Sequence, residues 1–386
     1  MDFTFYTAGE IIFGNGKISS VGEIAARFGS KAMICTRGTS MEKYGALEKV
    51  RASLAVRKIN SFVFNLPAHE PTVSEIDRGA EKARSEKPDV VIGLGGGSTI
   101  DTAKAVSGLA TNPGSVADYL EGVGRGWTIT APSLPYIAIP TTAGTGSEVT
   151  KNAVISSDNN AFKKSIRSPH LIPNIALLDP ELTLSVPTHI TAETGMDALT
   201  QLIESYVSAK AQPIPQALAI YGIRLAGKYL HRAVQHGSDI EAREGMLLAS
   251  LLSGLALANS GLGAAHGIAA ALGALAGIPH GKACAILIPH VMRVNLPHCI
   301  EGFATIAGAL DDNVEGTTDE KANRAVEIVS SLRESVGIPR KLSAEEIDPK
   351  LIPELVRNSR GSSMSGNPVK LSDEEIESII RTVISN

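Results

Sequence analysis

The chain has 386 residues, of which 43% are hydrophobic and 20% are charged, so it is long enough for two or three domains with buried cores and is not disordered as a whole. Its formal net charge of −4 and its aromatic content of 4% argue against a basic nucleic-acid-binding face and against a platform for base stacking. The 37 glycines follow no collagen-like period, and we interpret them as tight turns and close backbone approaches, which a phosphate-bearing ligand needs.

The cysteines and the first residues predict a protein of the reducing cytoplasm. Cys35, Cys284 and Cys299 are too few and too widely spaced for a disulfide framework, and none lies in a Cys-x-x-Cys pair. The opening sequence, MDFTFYTAGEII, lacks a basic segment followed by an apolar one. We therefore expect no export signal and a cytoplasmic location.

Residues 1–184 alternate between short apolar runs and longer amphipathic stretches. The spacing predicts a helix over 71–87 between two buried strands. The runs that we expect to form strands are Lys31–Cys35, Val56–Phe64, Asp89–Leu94, Tyr136–Ile139 and Ile175–Leu178. Alternation of this kind is typical of a parallel sheet with helices on its faces, so we predict an α/β domain over residues 1–184.

Residues 185–386 change to a helical pattern. The stretches with helical spacing are 191–208, 215–235, 240–258, 264–275, 284–296, 321–336 and 373–385. One uncharged stretch, 245–281, is longer than the roughly 20 residues that a membrane helix requires. Because Asn259 and His266 interrupt it, we favour buried helices of a bundle over a membrane span. We predict an all-α domain over 185–386.

The strongest local signal is a buried apolar strand that runs into the sequence GGGSTIDTAK. The backbone amides of Gly95, Gly96 and Gly97, with the amino end of a helix at Ser98, can cradle an anion where a side chain would obstruct it. An ordinary strand-to-helix turn needs only one glycine, so we favour pyrophosphate binding over that alternative. Asp101 is a candidate for contact with the cofactor, although the helix dipole explains an acidic residue on the first turn equally well.

A second glycine-rich loop, PTTAGTGSE, follows the strand that ends at Ile139. It combines two glycines with four hydroxyl side chains, those of Thr141, Thr142, Thr145 and Ser147, which suit a ribose, a phosphate or a carboxamide. Ligands of open α/β sheets bind beyond the carboxyl ends of the strands. This loop therefore reinforces the first one as a cofactor site.

The residues after the strand at 31–35 bear on which cofactor binds. An acidic residue that holds the adenosine ribose 2′-hydroxyl is expected here for NAD, and none is present. Thr36, Arg37, Thr39 and Ser40 are candidates for holding a 2′-phosphate instead, which favours NADP. The alternative, that Arg37 is a solvated surface charge, stays open.

Asp197, His266 and His280 are candidates for a metal site in the helical half. Gln201 lies one turn after Asp197, on the same helix face. Too many residues separate the two histidines for one helix face, but a glycine and a proline between them can turn the chain back. A carboxylate with two imidazoles suits Fe(II) or Zn(II) and leaves positions for substrate. From the residues alone, hydrogen-bonded core histidines are as good an interpretation.

Five motifs resemble those of the iron-containing (group III) alcohol dehydrogenase family, in order and spacing, over almost the whole chain. They are GGGSTIDTAK, PTTAGTGSE, Asp179-Pro180, GMDALT at 195–200 and Pro279-His280-Gly281. The resemblance implies a Rossmann-like, dinucleotide-binding first domain and a metal-binding helical second domain. It also implies hydride transfer between NAD(P)(H) and a small alcohol or its aldehyde or ketone, in a homodimer or larger homo-oligomer.

The resemblance implies roles for the matching residues. Asp197, His266 and His280 match three of the family's four metal ligands and would act in catalysis through the metal. Gln201 stands where the family has its fourth ligand, usually a histidine, and an amide oxygen is a weaker donor than an imidazole. Ala270 stands where the family often has a histidine linked to proton relay. We hypothesise a proton route through cofactor ribose and water.

The family pattern also implies cofactor contacts. Thr141, Thr142 and Ser147 would position the nicotinamide end. Lys163 or Lys164 matches a lysine that the family places near the cofactor, although a pair of solvated charges explains them as well.

Two other functions stay open. One is a metal-independent reductase similar to maleylacetate reductases, acting on an anionic carbonyl compound. The other is a nucleotide-binding homologue that has lost catalysis. The motifs do not identify the substrate, but the small polar side chains at 361–368 favour a short or hydroxylated one.

Overall fold

The chain folds into an α/β unit and a helical unit, which confirms the predicted fold class. The structure is a computed structural model that describes residues 2–158, 162–343 and 345–384. The α/β unit comprises Tyr6–Thr142 and Ser147–Ser185, and the helical unit comprises Met1–Phe5, Ala143–Gly146 and Val186–Asn386. The loop at 143–146 groups with the helices, and the domain boundary at residue 184 stays a prediction.

The α/β unit is built on a parallel sheet. The strands of the described chain are β1 (Glu10–Phe13), β2 (Lys31–Arg37), β3 (Asn60–Leu66), β4 (Val90–Gly95), β5 (Tyr136–Pro140), β6 (Asn152–Ser156), β7 (Lys163–Arg167) and β8 (Ile175–Leu178). Six of them form one sheet in the order β1-β8-β5-β4-β2-β3, every neighbouring pair being parallel, while β6 and β7 form an antiparallel pair. The strands β4, β5 and β8 are buried along their whole length, which explains their continuous apolar runs.

Helices cover the sheet at intervals along the chain. They are α1 (Val21–Ala25), α2 (Ser40–Lys43), α3 (Ala46–Val56), α4 (Val73–Glu86) and α5 (Gly97–Thr111). A capping box of Thr72 and Glu75 starts α4, the helix that the spacing over 71–87 predicts. The predicted strand at 56–64 is shorter than expected: Val56 ends α3, and β3 starts at Asn60 after a turn with Lys58 at a φ of 57°.

The order of the strands places a ligand crevice in the α/β unit. The chain proceeds from β2 to β3 on one side of the sheet and from β4 to β5 and β8 on the other, so its direction reverses between β2 and β4. Such a reversal opens a crevice beyond the carboxyl ends of the two strands. Arg37 ends β2 and Gly95 ends β4, so both predicted cofactor segments begin there.

The helical unit contains the remaining helices. They are α6 (Thr188–Val207), α7 (Pro213–Gln235), α8 (Ile240–Ser260), α9 (Ala264–Ala276), α10 (His280–Asn295), α11 (Ile300–Leu310), α12 (Thr318–Ser335), α13 (Ile352–Ser359) and α14 (Asp373–Thr382). Among the described residues of this half no strand occurs, apart from an isolated bridge between Leu342 and Ile384. The spacing analysis missed α11 and α13, and the last residue of its final predicted helix, Ser385, lies outside the described residues.

The uncharged stretch at 245–281 forms most of α8, all of α9 and the start of α10, and most of its residues are buried. Gly277, at a φ of 68°, ends α9, and α10 begins at His280, four residues earlier than the predicted start at 284. In the described part of the chain no single helix is long and apolar enough to cross a membrane, although α8 and α9, bent by 101°, pass that test together by length and composition.

Candidate metal centre and cofactor loops

Four side chains from three helices of the helical unit converge on one point. Asp197 on α6, His266 on α9, and His280 and Cys284 on α10 each offer one ligand atom, and these atoms all lie within 4.8 Å of one another. Oδ1 of Asp197 lies 3.2 Å from Nε2 of His266 and 3.8 Å from Nε2 of His280. The structure thus brings the three predicted ligands together and adds a thiol that the sequence analysis did not consider.

Glu204 positions His266 from the side opposite the cluster. Oε2 of Glu204 lies 2.6 Å from Nδ1 of His266, and its two oxygens also accept from the backbone amides of Gly263 and Ala265 at 2.9 and 2.7 Å. Metal-ligating histidines are commonly held in this way, with the other ring nitrogen directed at the ion. The sequence analysis missed Glu204, although it follows Asp197 by two helical turns on the same face of α6.

Gln201 takes a different orientation from the one that a metal ligand needs. Its Nε2 donates to Oδ2 of Asp197 at 3.3 Å, and its Oε1 accepts from the hydroxyl of Ser253 at 2.8 Å. The carbonyl oxygen, the amide atom that binds cations, is therefore turned toward α8 and away from the cluster. In this structure the amide group orients Asp197, and the role of Gln201 as a ligand stays a prediction.

The carboxylates create a negative environment around the two imidazoles. Burial alone raises the pKa of Asp197, but the hydrogen bond from His266 and the positive potential of His280 bring that pKa below its usual value. Burial alone lowers the pKa of His266, but Cys284, Glu204 and Asp197 together hold it well above its usual value. Burial raises the pKa of the Cys284 thiol to about 12. A cluster of this kind stabilises a cation.

The loop between β4 and α5 has the form expected of a phosphate site. Gly95 ends β4 at a φ of 155°, and a Cβ there would lie 2.5 Å from Oγ1 of Thr99, so this position requires glycine. Gly96 is the N-cap of α5, and Gly97 and Ser98 form its first turn. The first amides of a helix have no intrahelical acceptor and favour an anion.

The loop after β5 lies beside the glycine loop after β4, because the two strands are neighbours in the sheet. The amide of Thr141 donates to the carbonyl of Gly95 at 3.0 Å, and a Cβ on Gly96 would lie 3.4 Å from Oγ1 of Thr142. The structure therefore brings Thr141 and Thr142 to the glycine loop, as the sequence analysis expected of a shared site at neighbouring strand ends.

Thr145 lies in the segment Ala143–Gly146, which belongs to the helical unit. Gly146 has a φ of 59°, and a Cβ on Gly254 of α8 would lie only 2.2 Å from the carbonyl oxygen of Gly146. The backbones of the loop and of α8 are thus in direct contact. A cofactor role for Thr145 stays a prediction.

Asp101 and Ser147 belong to a buried network within the α/β unit. Oδ1 of Asp101 accepts from the hydroxyl of Ser147, and its Oδ2 accepts from the amide of Val154 at 2.9 Å. The fully buried ammonium group of Lys104 donates to four oxygens: the carbonyl and hydroxyl of Ser147, the hydroxyl of Thr150 and the carbonyl of Asn152. Their polar atoms hold the loop that follows β5, and their contact with the cofactor stays a prediction.

Burial changes the protonation behaviour of this network. It lowers the pKa of Lys104 to about 8, against the opposing effects of Asp101 and Glu148. It raises the pKa of Asp101 above its usual value and that of Glu148 to about 7.

Arg37 is a structural residue in this fold. Its side chain is 5% exposed, and its NH2 group lies 2.5 Å from Oε2 of Glu75. Its remaining contacts are with the carbonyls of Pro67 and His69, at 2.7 and 2.8 Å, and with the hydroxyl of Thr102, at 3.2 Å. These bonds use the guanidinium to tie β2 to α4 and α5, which favours a structural role over the predicted binding of a 2′-phosphate.

The other residues of that predicted group have separate environments. Thr36 is buried, and its hydroxyl donates to Oδ1 of Asn65 at 3.1 Å. Thr39 and Ser40 are exposed at the start of α2. Without Arg37 beside them, they supply hydroxyl groups but no positive charge for a phosphate.

Lys163 and Lys164 lie on β7, outside the main sheet. Nζ of Lys163 lies 3.0 Å from Oε1 of Glu70. Because successive side chains of a strand point to opposite faces, the two lysines do not share a face. Their role toward the cofactor stays a prediction.

The comparisons with known proteins agree along the chain. The model "Iron-containing alcohol dehydrogenase" matches residues 8–180, and the model "Fe-containing alcohol dehydrogenase family, C-terminal" matches residues 191–384. The chain is 38% identical over 375 residues to a 1,3-propanediol dehydrogenase of Citrobacter freundii, covering 96% of this chain and 95% of that protein. It is 33% identical over 382 residues to an NAD-dependent methanol dehydrogenase of Bacillus methanolicus, covering 98% and 99%. A crystal structure of a 1,3-propanediol oxidoreductase superposes with a TM-score of 0.94 at 34% identity, covering 99% of this chain and 100% of the other.

Proposed function

The chain belongs to the iron-containing alcohol dehydrogenase family, and from that premise we propose an NAD-linked, metal-dependent enzyme that interconverts a short or hydroxylated alcohol and its aldehyde. Alcohol–aldehyde interconversion by an alcohol dehydrogenase follows from the family and its relatives. The observation that carries the metal-dependent mechanism is the convergence of Asp197, His266 and His280, with Glu204 behind the first imidazole.

The donor set of the cluster fits a divalent transition metal. One carboxylate and two imidazoles are the ligand types that Fe(II) and Zn(II) accept, and the supporting carboxylate of Glu204 is what such sites add behind a ligating histidine. Asp197, His266 and His280 would hold the ion. The negative charge of the two carboxylates favours a cation there over a neutral ligand.

When bound, NAD(H) carries the hydride, and the divalent metal stabilises the negative charge that develops on the substrate oxygen. The protein's part in the helical unit is to prearrange donors. Glu204 accepts from Nδ1 of His266 and thereby directs Nε2 into the cluster. Gln201 binds Oδ2 of Asp197 and leaves Oδ1 facing the two imidazoles.

The protein's part in the α/β unit is to bind the cofactor phosphates. The amides at Gly96, Gly97 and Ser98 supply hydrogen-bond donors at a helix N-terminus, where a side chain on Gly96 would intrude. The amide of Thr141 donates to the carbonyl of Gly95, which keeps Thr141 and Thr142 next to the glycines.

We propose NAD(H) as the cofactor in preference to NADP(H). Arg37, the only cation in the segment 36–40, is bonded to Glu75 and two carbonyls and carries no free charge for a 2′-phosphate. A methanol dehydrogenase that is similar over nearly its whole length is named as NAD-dependent, which supports the same choice. We expect NADH to bind more tightly than NADPH in fluorescence titrations. Tighter binding of NADPH would contradict this part of the proposal.

A chelation experiment tests the whole proposal. The protein is treated with a strong chelator, dialysed, and assayed for NADH oxidation with short aldehydes, including hydroxylated ones, before and after adding Fe(II) or Zn(II). We expect activity to disappear on chelation and to return with metal. Activity that survives complete removal of metal would favour the metal-independent reductase, and absence of activity in all states would favour the non-catalytic homologue.

We further propose a homodimer or larger homo-oligomer in the cytoplasm. β1 is an edge strand of the sheet, and its Ile11 is 37% exposed, which suits pairing with a second copy. All three cysteines are unpaired, as expected in a reducing compartment. Light scattering on the purified chain measures the assembly, and a monomer at working concentration would contradict it.

A further inference from the structure

Helix α10 contributes the thiol of Cys284 to the cluster, whereas α6 has Gln201 at the position where the family usually has a histidine ligand. Cys284 lies one turn after His280, so both side chains project from the same face of the helix. Its Sγ is 3.7 Å from Nε2 of His280, and it also lies within interaction distance of Asp197 and His266. The sulfur therefore lies within 4.8 Å of the ligand atom of every other member of the cluster.

The alternative interpretation of Cys284 is that it is a small apolar residue of the core. Cys284 is fully buried and contacts the hydrophobic core of the helical unit, as free cysteines often do. A core cysteine, however, has no reason to place its sulfur among three metal-ligating atoms, whereas a ligand has. Gln201 does not compete for this place, because its carbonyl oxygen accepts from Ser253.

We propose that Cys284 is the fourth protein ligand of the metal centre, and that the resulting set of one carboxylate, two imidazoles and one thiolate selects Zn(II) over iron. The inference rests on the proposed metal-dependent function and deepens it. Thiolate ligands favour zinc, which binds mixed nitrogen and sulfur sets readily. In this proposal the fourth ligand comes from α10, whereas the family pattern has it on the helix that corresponds to α6.

The spacing of the donor atoms agrees with this assignment. Around a tetrahedral zinc with bonds of about 2.0 Å to nitrogen or oxygen and about 2.3 Å to sulfur, neighbouring donors lie about 3.3 to 3.6 Å apart. The observed separations are 3.2 Å between Asp197 and His266, 3.8 Å between Asp197 and His280, and 3.7 Å between His280 and Cys284. The other three pairs lie within 4.8 Å, so side-chain movements of up to about an ångström bring the four donors to these separations, and zinc accepts a fifth ligand for substrate.

The charge of the direct ligands alone, without the carboxylate of Glu204 behind His266, also favours the thiolate. A buried divalent ion is favourable only where its charge is compensated. Asp197 supplies one negative charge, and Cys284 supplies the second when the metal–sulfur bond forms and the thiol proton leaves to solvent. The centre then carries no net charge from its ion and direct ligands. An amide at position 201 cannot make this contribution.

Cobalt substitution tests the assignment directly. Co(II) is a spectroscopic substitute for zinc, and a thiolate bound to it gives an intense near-ultraviolet charge-transfer absorption that carboxylate and imidazole ligands do not give. The metal-free protein is titrated with Co(II) alone, and we expect this absorption to saturate at one ion per chain. The variant Cys284→Ser should lose it, whereas the matched control Cys299→Ser, which changes the other cysteine of the helical unit, should keep it.

Metal affinity and rescue give the second measurement. We expect Cys284→Ser to weaken Zn(II) binding by about 100-fold or more, the upper end of what removal of even an outer-shell partner costs. Fe(II) binding should weaken less, so the preference for zinc should fall. Adding Gln201→His to Cys284→Ser should restore tight binding without restoring the charge-transfer absorption. Thermal unfolding of the metal-free variants shows whether they fold.

The outcomes separate this inference from the proposed function. Stoichiometric Co(II) binding by the unaltered protein without thiolate absorption would overturn the role of Cys284 and leave metal-dependent catalysis standing. Failure to bind Co(II) or Zn(II) at all, together with activity that survives chelation, would overturn both. Because the spectrum of the unaltered protein decides the first point, a variant that fails to fold does not affect it.

Discussion

The α/β unit and the helical unit each bury a cluster of charged side chains, but the polar atoms of the two clusters are arranged differently. In the α/β unit, Lys104 donates to four oxygens and Asp101 accepts from two donors. In the helical unit, ligand atoms of Asp197, His266, His280 and Cys284 converge within 4.8 Å. The first arrangement holds a backbone segment in place, and the second places ligand atoms of four side chains around one point, which suits a cation.

The difference shows that the contacts of a buried charged group indicate whether the group is structural or binds a ligand. A network whose donors and acceptors are matched fixes a backbone segment, here the loop after β5, and its cost of burial is offset within the chain. A group of lone-pair donors aimed at one volume costs free energy unless a cation is present. Perturbed pKa values occur in both clusters and therefore do not separate a structural cluster from a functional one. The two differ in whether the polar atoms point at the backbone or at one common point.

The largest expected effect comes from removing a ligand from the convergent cluster. In His280→Ala we expect kcat/KM for aldehyde reduction to fall about 1,000-fold, because a metal contributes several kcal/mol and each 1.36 kcal/mol is a factor of ten. Steady-state assays with added metal measure it. His290→Ala, on the same helix but beside Arg293, is the control and should keep its activity. Full activity in His280→Ala would contradict a catalytic role for the cluster of the helical unit.

Next in size is a pH effect on Glu148, a buried carboxyl group near Lys104. Glu148 is buried, and its Oε1 has no hydrogen-bond partner among the residues that the structure describes. Its folded pKa of about 7 lies above the unfolded value of 4.5, so the folded state binds the extra proton between these two values. The resulting stabilisation is complete below pH 4.5 and is lost as the pH rises through 7, by up to about 3 kcal/mol.

Glu148→Gln should therefore flatten the dependence of the unfolding free energy on pH across this window. Urea unfolding at a series of pH values measures the slope. The exposed Glu327→Gln should leave the slope as it is. An unchanged slope in Glu148→Gln would show that this carboxyl is not a buried proton-binding group.

Removal of the support behind the metal ligand should have a smaller effect. We expect Glu204→Gln to weaken metal binding by about 10- to 100-fold, because the amide holds Nδ1 of His266 less well than a carboxylate does. Competition with a chromophoric chelator measures the affinity. Glu148→Gln, which changes the buried glutamate of the other unit, is the matched control. Equal losses in the two variants would indicate a general effect of losing a buried carboxylate.

The smallest expected effect concerns the cofactor loop. Gly96 has a φ of −74°, and a Cβ there meets Thr142 at an ordinary 3.4 Å, so the fold should tolerate Gly96→Ala. If the loop binds phosphate, the added methyl group obstructs it, and the Kd for NADH should rise about tenfold, or 1.4 kcal/mol. Gly308→Ala on α11, where a Cβ contacts nothing within 4 Å, is the control. Unchanged NADH binding would indicate a purely structural loop.

Local sequence patterns predicted most helices and strands of the main sheet, because the burial of an element is reflected in the spacing of its apolar residues. Continuous apolar runs predicted strands that are buried on both faces. The triple glycine predicted the end of β4, where Gly95 has no room for a Cβ. They failed at β1, a short and half-exposed edge strand, and at the β6–β7 hairpin, whose alternating polar residues do not stand out. The motif spacing also found three of the converging side chains, since Gly277 ends α9 as expected.

The partners of single side chains were beyond any local pattern. Arg37 at a strand end is suited to bind a phosphate by its sequence position, and only the fold shows Glu75 and two carbonyls around it. Asp101 is similar, since its acceptors are used by Ser147 and Val154, which are distant in sequence. Such contacts depend on which elements pack together, and spacing along one element does not contain that information.

The amino-acid sequence by itself determined the two-unit fold class, the glycine loop and the candidate metal site, because periodicity, glycine placement and motif order are local properties of the chain. Only the tertiary structure decided which groups surround the site: Glu204 behind His266, Gln201 turned toward Ser253, and Cys284 beside the three candidate ligands. The physical reason is that a metal centre is defined by the convergence of atoms from α6, α9 and α10, and convergence is a consequence of packing.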